Sequence, residues 1–353
     1  MRPNVTWPPV PEQGAASDLP HLQAQVEPGQ PTNLQPETKR PSLLTTLRQL
    51  PTWAWGGGLL GLVTLVLLLR LTSDGFGSSR TPTPTQARSV VVTNITPPPN
   101  AQQGDRWTRP SDGMVLVYVP GGTFLMGSDP AQDSEADSDE FPQHEVTLSP
   151  YWLDRTEVTN AMYAGCVATG ICAASSYADD NDFNGAAYPV VGVSWNDADT
   201  YCTWAGGQLP TEAQWEFAAR GDDGLFYPWG NQWDGTLANF CDTNCTYDWH
   251  DPDVNDGYAL TAPVGSYTPG GDSWIGAADM AGNVWEWVDD WYGAYANTSQ
   301  TDPSGTESGD YKVLRGGSWG PLPHYLRAAY RGSAQPTNHG LNFGFRCVLP
   351  PGS

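Results

Sequence analysis

The chain has 353 residues, with 16 Lys and Arg against 39 Asp and Glu, and a formal net charge of −23. Nine of the basic and six of the acidic residues precede position 111, which leaves 7 against 33, a net of −26, for the remainder. That balance argues against nucleic acid as a partner, because phosphate contacts need clustered Lys and Arg.

Residues 1–50 are rich in Pro, Gln, Thr and Glu. Such a segment buries too little apolar surface to offset its ordering entropy, so it is expected to be disordered. Residues 52–71 follow, with an uncharged core from Trp53 to Leu69 that ends at Arg70. The length and lack of charge predict one transmembrane helix, with Trp53 and Trp55 in the interfacial belt and Arg70 snorkelling. It starts too far along the chain for a cleaved signal peptide, so it reads as a signal anchor. Residues 72–110 form a Ser/Thr/Pro-rich stalk, extended by its prolines.

A globular domain is expected over 111–350. Twelve of the 16 tryptophans lie beyond position 110, enough aromatic content for a sizeable core. Met114–Val119 reads as a strand, and Gly121-Gly122 as a turn into Thr123–Met126, so a hairpin is predicted. The acidic loop from Asp129 to Glu140 reads as solvated, and Val146–Leu153 as extended chain. Three short helices carry local signals. Thr159 caps one that Gly170 ends, Ser194 with Asp197 caps a second stopped by Gly206, and Thr211 with Gln214 forms a capping box before Gly221. Elsewhere Gly, Pro, Asp and Asn are too frequent for long elements, so the fold class is α+β with much irregular chain.

All six cysteines lie beyond position 110: Cys166 and Cys172, Cys202, Cys241 and Cys245, and Cys347. An even count with two close pairs suits disulfides in an oxidising compartment, which places the N-terminus in the cytoplasm and the large domain outside it. The alternative for Cys241 and Cys245 is a zinc site with His250, which lacks an evident fourth ligand.

The run from Lys312 to Cys347 holds five of the seven basic residues beyond position 110, and they are expected to be paired internally. It contains Arg315-Gly316-Gly317-Ser318-Trp319 and Gly344-Phe345-Arg346-Cys347. Upstream come Gly121–Gly127, Glu157–Asn160, Val193-Ser194-Trp195, Leu209–Glu216 and Gly282–Trp287, in that order. Together they resemble the sulfatase-modifying-factor family, whose type member is the formylglycine-generating enzyme. The resemblance implies a fold of low regular content related to C-type lectins, and a Cys202–Cys347 bridge.

The resemblance also implies two cysteines between Ser318 and Arg327 that bind copper(I) and act on a substrate cysteine. Here that segment is Trp319-Gly320-Pro321-Leu322-Pro323-His324-Tyr325-Leu326, without a thiol. A lone His324 is a poor copper(I) site, so the oxidase chemistry is not expected and copper is not an expected cofactor. Trp285, Ser318 and Asn342 match the family's pocket, either as a retained pocket or simply as a packed ring, a turn residue and a backbone-bonding amide. Two calcium sites are implied as well. One uses Asn239, Phe240, Asp256 and Tyr258, the other Asp279, Gly282, Val284 and Glu286; all could equally be solvated acidic turns.

The expected function is a membrane-anchored, non-catalytic binding module. Its partner, a protein or small ligand, would meet loops Gly320–Tyr325, Gly332–Ala334 and Thr337–Asn342, among them Pro321, Leu322, His324, Tyr325 and His339. The alternatives are a sulfatase-maturing oxidase with relocated ligands and a structural subunit of a membrane complex.

Overall fold

The computed structural model describes residues 96–350. The expected disordered segment 1–50, the membrane span 52–71 and residues 72–95 of the stalk lie outside them. Among the described residues no helix is long and apolar enough to cross a membrane. Strand β1 (Arg106–Thr108) falls within the stretch read as stalk, and it pairs antiparallel with β2 (Val115–Val119). The folded unit therefore starts before position 111.

The predicted hairpin of β2 with the next strand does not form. β2 pairs instead with β5 (Tyr151–Asp154), Val119 opposite Tyr151, while β3 (Gly122–Met126) pairs with β4 (His144–Leu148), Gly122 opposite Leu148. The chain bends at Pro120-Gly121 into a second sheet and does not reverse. A Cβ at Gly121 would lie 2.6 Å from the Leu148 carbonyl oxygen and 2.9 Å from Pro150 N. Glycine there lets the two corners of one bent ribbon touch.

Three small sheets result. β11 (Val348–Leu349) closes the order β1-β2-β5-β11, and β7 (Gln300–Thr301) the order β3-β4-β7. The third contains β6 (Trp285–Trp291), β8 (Lys312–Arg315), β9 (Gly332–Ala334) and β10 (Phe343–Phe345) in the order β10-β6-β8-β9. β9 is one of the segments expected to be a recognition loop. It is a paired strand instead, with Gly332 buried under the Trp285 ring and Ala334 buried as well.

The helices form where their caps predict: α1 (Asn160–Thr169), α2 (Trp195–Ala205) and α3 (Glu212–Arg220). Thr159 accepts the Met162 N–H, while Ser194 with Asp197 and Thr211 with Gln214 make reciprocal boxes. Such signals act within one turn and need no tertiary partner. α3 is unusual in burying eight of its nine residues, the charged Glu212, Glu216 and Arg220 included.

The acidic loop is not uniformly solvated, as had been expected of it. Asp133 and Glu140 are buried, because both oxygens of Glu140 and Oδ2 of Asp133 receive hydrogen bonds from the Arg327 guanidinium. Of the core clusters, one surrounds Trp152, Tyr201, Trp287 and Phe345; another surrounds Val117, Phe124, Leu153, Trp215 and Val313.

The described residues contain three disulfides, Cys166–Cys172, Cys202–Cys347 and Cys241–Cys245, and no free cysteine. The zinc alternative is thereby removed, since both of its thiols are spent. Alkylation of the denatured, unreduced protein is expected to label no cysteine. Cys202 and Cys347 are 145 residues apart, so the double alanine variant should lose about 4–5 kcal/mol in denaturant unfolding. A loss under about 1 kcal/mol would show that the bridge does not restrain the unfolded chain.

Candidate functional site

The site grows out of the turn after β8. Gly316 and Gly317 have φ of 90° and 74°, and a Cβ at Gly317 would lie 2.8 Å from both Leu326 Cδ1 and the Tyr325 carbonyl oxygen. Two left-handed glycines thus carry the chain back under the 325–326 segment. They deliver Ser318 fully buried, and Asn342 Nδ2 donates to its Oγ at 2.9 Å. The Trp285 N–H donates to the Asn342 carbonyl at 2.8 Å, while the Trp285 ring packs on Tyr330. Trp285, Ser318 and Asn342 are therefore brought together.

The loop after Ser318 is pinned to the Cys241–Cys245 loop. The Cys241 N–H donates to the Pro321 carbonyl at 3.2 Å, and Trp249 Nε1 to the Gly320 carbonyl at 3.2 Å. Three near-parallel rings join them: Trp249 on Tyr247 at 4.6 Å, and Tyr247 on Trp319 at 6.1 Å. Pro323–Leu326 is a 3₁₀ turn, with Leu322 as its N-cap and Pro321 just before. His324 sits between Tyr325 and Tyr330, and its Nε2 lies 3.2 Å from Asp137 Oδ2. That hydrogen bond holds the Asp137 carboxyl below its ordinary value. His339 has a separate partner, Asp197 Oδ2 at 3.3 Å, beside the start of α2. No metal ligand pair arises from these two histidines.

The first expected calcium set fits an oxygen-ligated cation. Asn239 is fully buried; its Nδ2 donates to the Leu260 carbonyl and to Asn283 Oδ1, but its Oδ1 has no partner. The two oxygens of Asp256 accept the Phe240 and Tyr258 N–H groups, and the Asp256 N–H donates to Asp242. Burial pushes the Asp256 carboxyl up to about 7, and the Asp242 carboxylate adds to the shift. The orphaned amide oxygen of Asn239 and the carboxyls of Asp256 and Asp242 are hard oxygen donors of the kind calcium takes.

The second set fits less well. The Glu286 carboxylate already accepts Arg346 Nη2 at 2.6 Å, Arg346 Nε at 2.7 Å and Trp215 Nε1 at 2.8 Å, so it is occupied as an ion-pair partner. Asp279 has φ of 57°, and its Oδ2 accepts the Gly265 N–H. Glu157, fully buried nearby, gives Oε1 to Asn283 and leaves Oε2 without a partner. Burial and then Asp279 push its carboxyl upward. Glu157, Asp137 and Asp242 were not singled out from the sequence as site residues. Glu157 sits in a motif that signalled only the family, the His324 partner of Asp137 lies 187 residues along the chain, and Asp242 bonds Asn244 and Asp256 in an irregular loop.

Residues 102–350 match the sulfatase-modifying factor enzyme 1-like domain. The chain belongs to that family. A formylglycine-generating enzyme from Streptomyces coelicolor is 38% identical over 293 residues, covering 68% of this chain and 90% of the relative. A mouse protein named inactive C-alpha-formylglycine-generating enzyme 2 is 30% identical, covering 67% of this chain and 86% of the relative. Among solved structures, PvdO from Pseudomonas aeruginosa aligns with a TM-score of 0.59 at 28% identity, covering 71% of this chain and 99% of that one. Within the family, this member brings Trp285, Ser318 and Asn342 together and has no thiol between Ser318 and Arg327.

The raised Asp256 carboxyl has a sign consequence. A folded pKa of about 7 against an ordinary 3.8 means that the native state holds a proton the unfolded chain releases. The stability from that proton is present at low pH and lost as pH rises through about 7. In chelator the melting temperature should therefore fall from about pH 5 to about pH 8, and calcium should restore it at the higher pH. Asp290, raised to about 7, and Asp154, raised to about 6, add to the slope. The readout is therefore the difference made by Asp256→Asn, which should flatten the fall and abolish the calcium response. A wild-type melt indifferent to calcium at about pH 8 would remove the first site.

Proposed function

We propose that this chain is a membrane-anchored, extracytoplasmic binding module of the sulfatase-modifying factor family that recognises a protein or small ligand without converting it. One observation carries the reading: the segment Trp319–Leu326 offers no thiol, while Trp285, Ser318 and Asn342 beside it are held together, with Asn342 bonded to Ser318. Prolines 321 and 323 and Leu322 have no side-chain donor, and His324 is engaged with Asp137. Copper(I) wants soft ligands, and a disulfide exchange with substrate wants a free thiolate. All six cysteines are in disulfides.

Two further facts support the reading. A relative in the family carries the name of an inactive enzyme. The loop that replaces the thiol segment is also held in place by the Cys241 and Trp249 hydrogen bonds, as a pre-organised recognition loop requires. The face comprises Gly320–Tyr325 and Thr337–Asn342, with Pro321, Leu322, His324, Tyr325 and His339 on it. Three disulfides suit an oxidising compartment, which agrees with a large domain outside the membrane, an anchor at residues 52–71 and a cytoplasmic N-terminus. Calcium at Asn239, Phe240, Asp256 and Tyr258 serves as a structural staple below the loop.

The test uses the purified chain with copper(I), oxygen, a thiol reductant and a cysteine peptide of the sulfatase type. No aldehyde is expected. Peptide association should occur without turnover and weaken in Asn342→Ala. Copper-dependent aldehyde that persists in His324→Ala would overturn the proposal and place the ligands elsewhere in the chain.

A further inference from the structure

Seven of the 16 basic residues and five of the 39 acidic ones precede position 96, leaving nine and 34 among the described residues. Six of the nine are buried arginines held in ion pairs: Arg109, Arg220, Arg315, Arg327, Arg331 and Arg346. The seventh, Lys312, is buried between the Trp195 and Trp291 rings, its Nζ 3.9 and 4.1 Å from their centroids. Only Arg106 and Arg155 are not buried, and both line the same cavity.

That cavity measures about 180 Å³, and Met114, Val115, Thr156 and Met162 complete most of its wall. It lies at the end of the first sheet. Arg106 is on β1, the Arg155 N–H bonds the Val115 carbonyl at 2.9 Å, and Met162 comes from α1. One edge of the Arg155 guanidinium is fixed, with Nη2 donating to Thr268 Oγ1 at 3.0 Å and Asp272 Oδ2 at 3.1 Å. Its Nε has no partner, and the Arg106 guanidinium makes no hydrogen bond or ion pair among the described residues. Trp285, Ser318 and Asn342 take no part in this cavity.

We propose that the cavity binds a small organic monocarboxylate with an apolar body. Guanidinium forks match the planar geometry of a carboxylate, and this cavity holds both of the basic residues that are not buried among the described residues. Asp272 offsets one of the two positive charges, leaving a net of one, which suits a monoanion better than a dianion. Met114, Val115 and Met162 supply an apolar wall, which an inorganic anion would not use. An apolar cavity of about 150 Å³ admits benzene, so the space suits a body of about one ring.

Calorimetry on the full chain tests this with phenylacetate, its neutral analogue 2-phenylethanol, and inorganic phosphate. Phenylacetate should bind saturably at one site, with the alcohol and phosphate at least about tenfold weaker, in line with the loss of one charged hydrogen bond or of the apolar contact. Arg106→Gln, at an exposed position, should leave the melting curve unchanged and weaken phenylacetate by about tenfold or more. Met162→Gln should weaken phenylacetate while leaving phosphate unaffected. No saturable phenylacetate binding, phosphate binding as tight as phenylacetate, or wild-type affinity in Arg106→Gln would each overturn the proposal.

Discussion

Buried arginines paired with buried carboxylates hold this domain together. Arg315 donates to Glu216 at 2.6 Å and to the carbonyls of Ala328, Ala329 and Tyr330. Arg331 takes both oxygens of Glu212 and the carbonyls of Asp139 and Gly293. Arg346 binds Glu286 through two nitrogens and reaches the carbonyls of Asp154, Arg155 and Ala278. Each guanidinium spends part of its fork on a carboxylate and part on carbonyls of irregular chain, which have no ladder of their own. A fold with short strands and three short helices leaves many such carbonyls to satisfy. Lysine, with its compact point charge, lacks the planar fork for the task.

The clamps also flank two of the loops. The segment Gly320–Tyr325 lies between Arg315 and Arg327, and Thr337–Asn342 between Arg331 and Arg346. The stems of the proposed recognition face are thus fixed at buried ion pairs. Between the stems, the Gly316-Gly317 turn, the Asn342–Ser318 hydrogen bond and the Trp249–Tyr247–Trp319 column set the floor.

What could be read in the sequence follows from how local each signal is. The helix caps at Thr159, Ser194 and Thr211 act across three residues, and all three helices sit where those caps put them. The internal pairing of the rare basic residues was legible from charge balance alone. Their partners were not, since Arg327 meets Glu140 across 187 residues and Arg315 meets Glu216 across 99. For the same reason the acidic loop read as solvated, and no spacing pointed to the bonds that the Glu286 carboxylate accepts from Arg346. The β2–β3 hairpin failed because Gly-Gly signals a turn without saying into which sheet. In the site, Ser318 and Asn342 were legible through family motifs, whereas the ring column at Tyr247 and Trp249 depends on contacts that no spacing reveals.

The most direct test of this account is a stability cycle at the Arg327 clamp. Arg327→Leu alone strands the buried Asp133 and Glu140 and should cost about 3–5 kcal/mol in denaturant unfolding. Adding Glu140→Leu and Asp133→Asn removes the stranded charges, so the triple variant should recover most of that loss. Full recovery would mean that hydrophobic packing can substitute for the clamp in stability, and amide exchange across 320–326 should still quicken as its stem loosens. Losses that simply add, with exchange in 320–326 unchanged, would contradict the claim that these ion pairs act as units that fix the 320–326 loop.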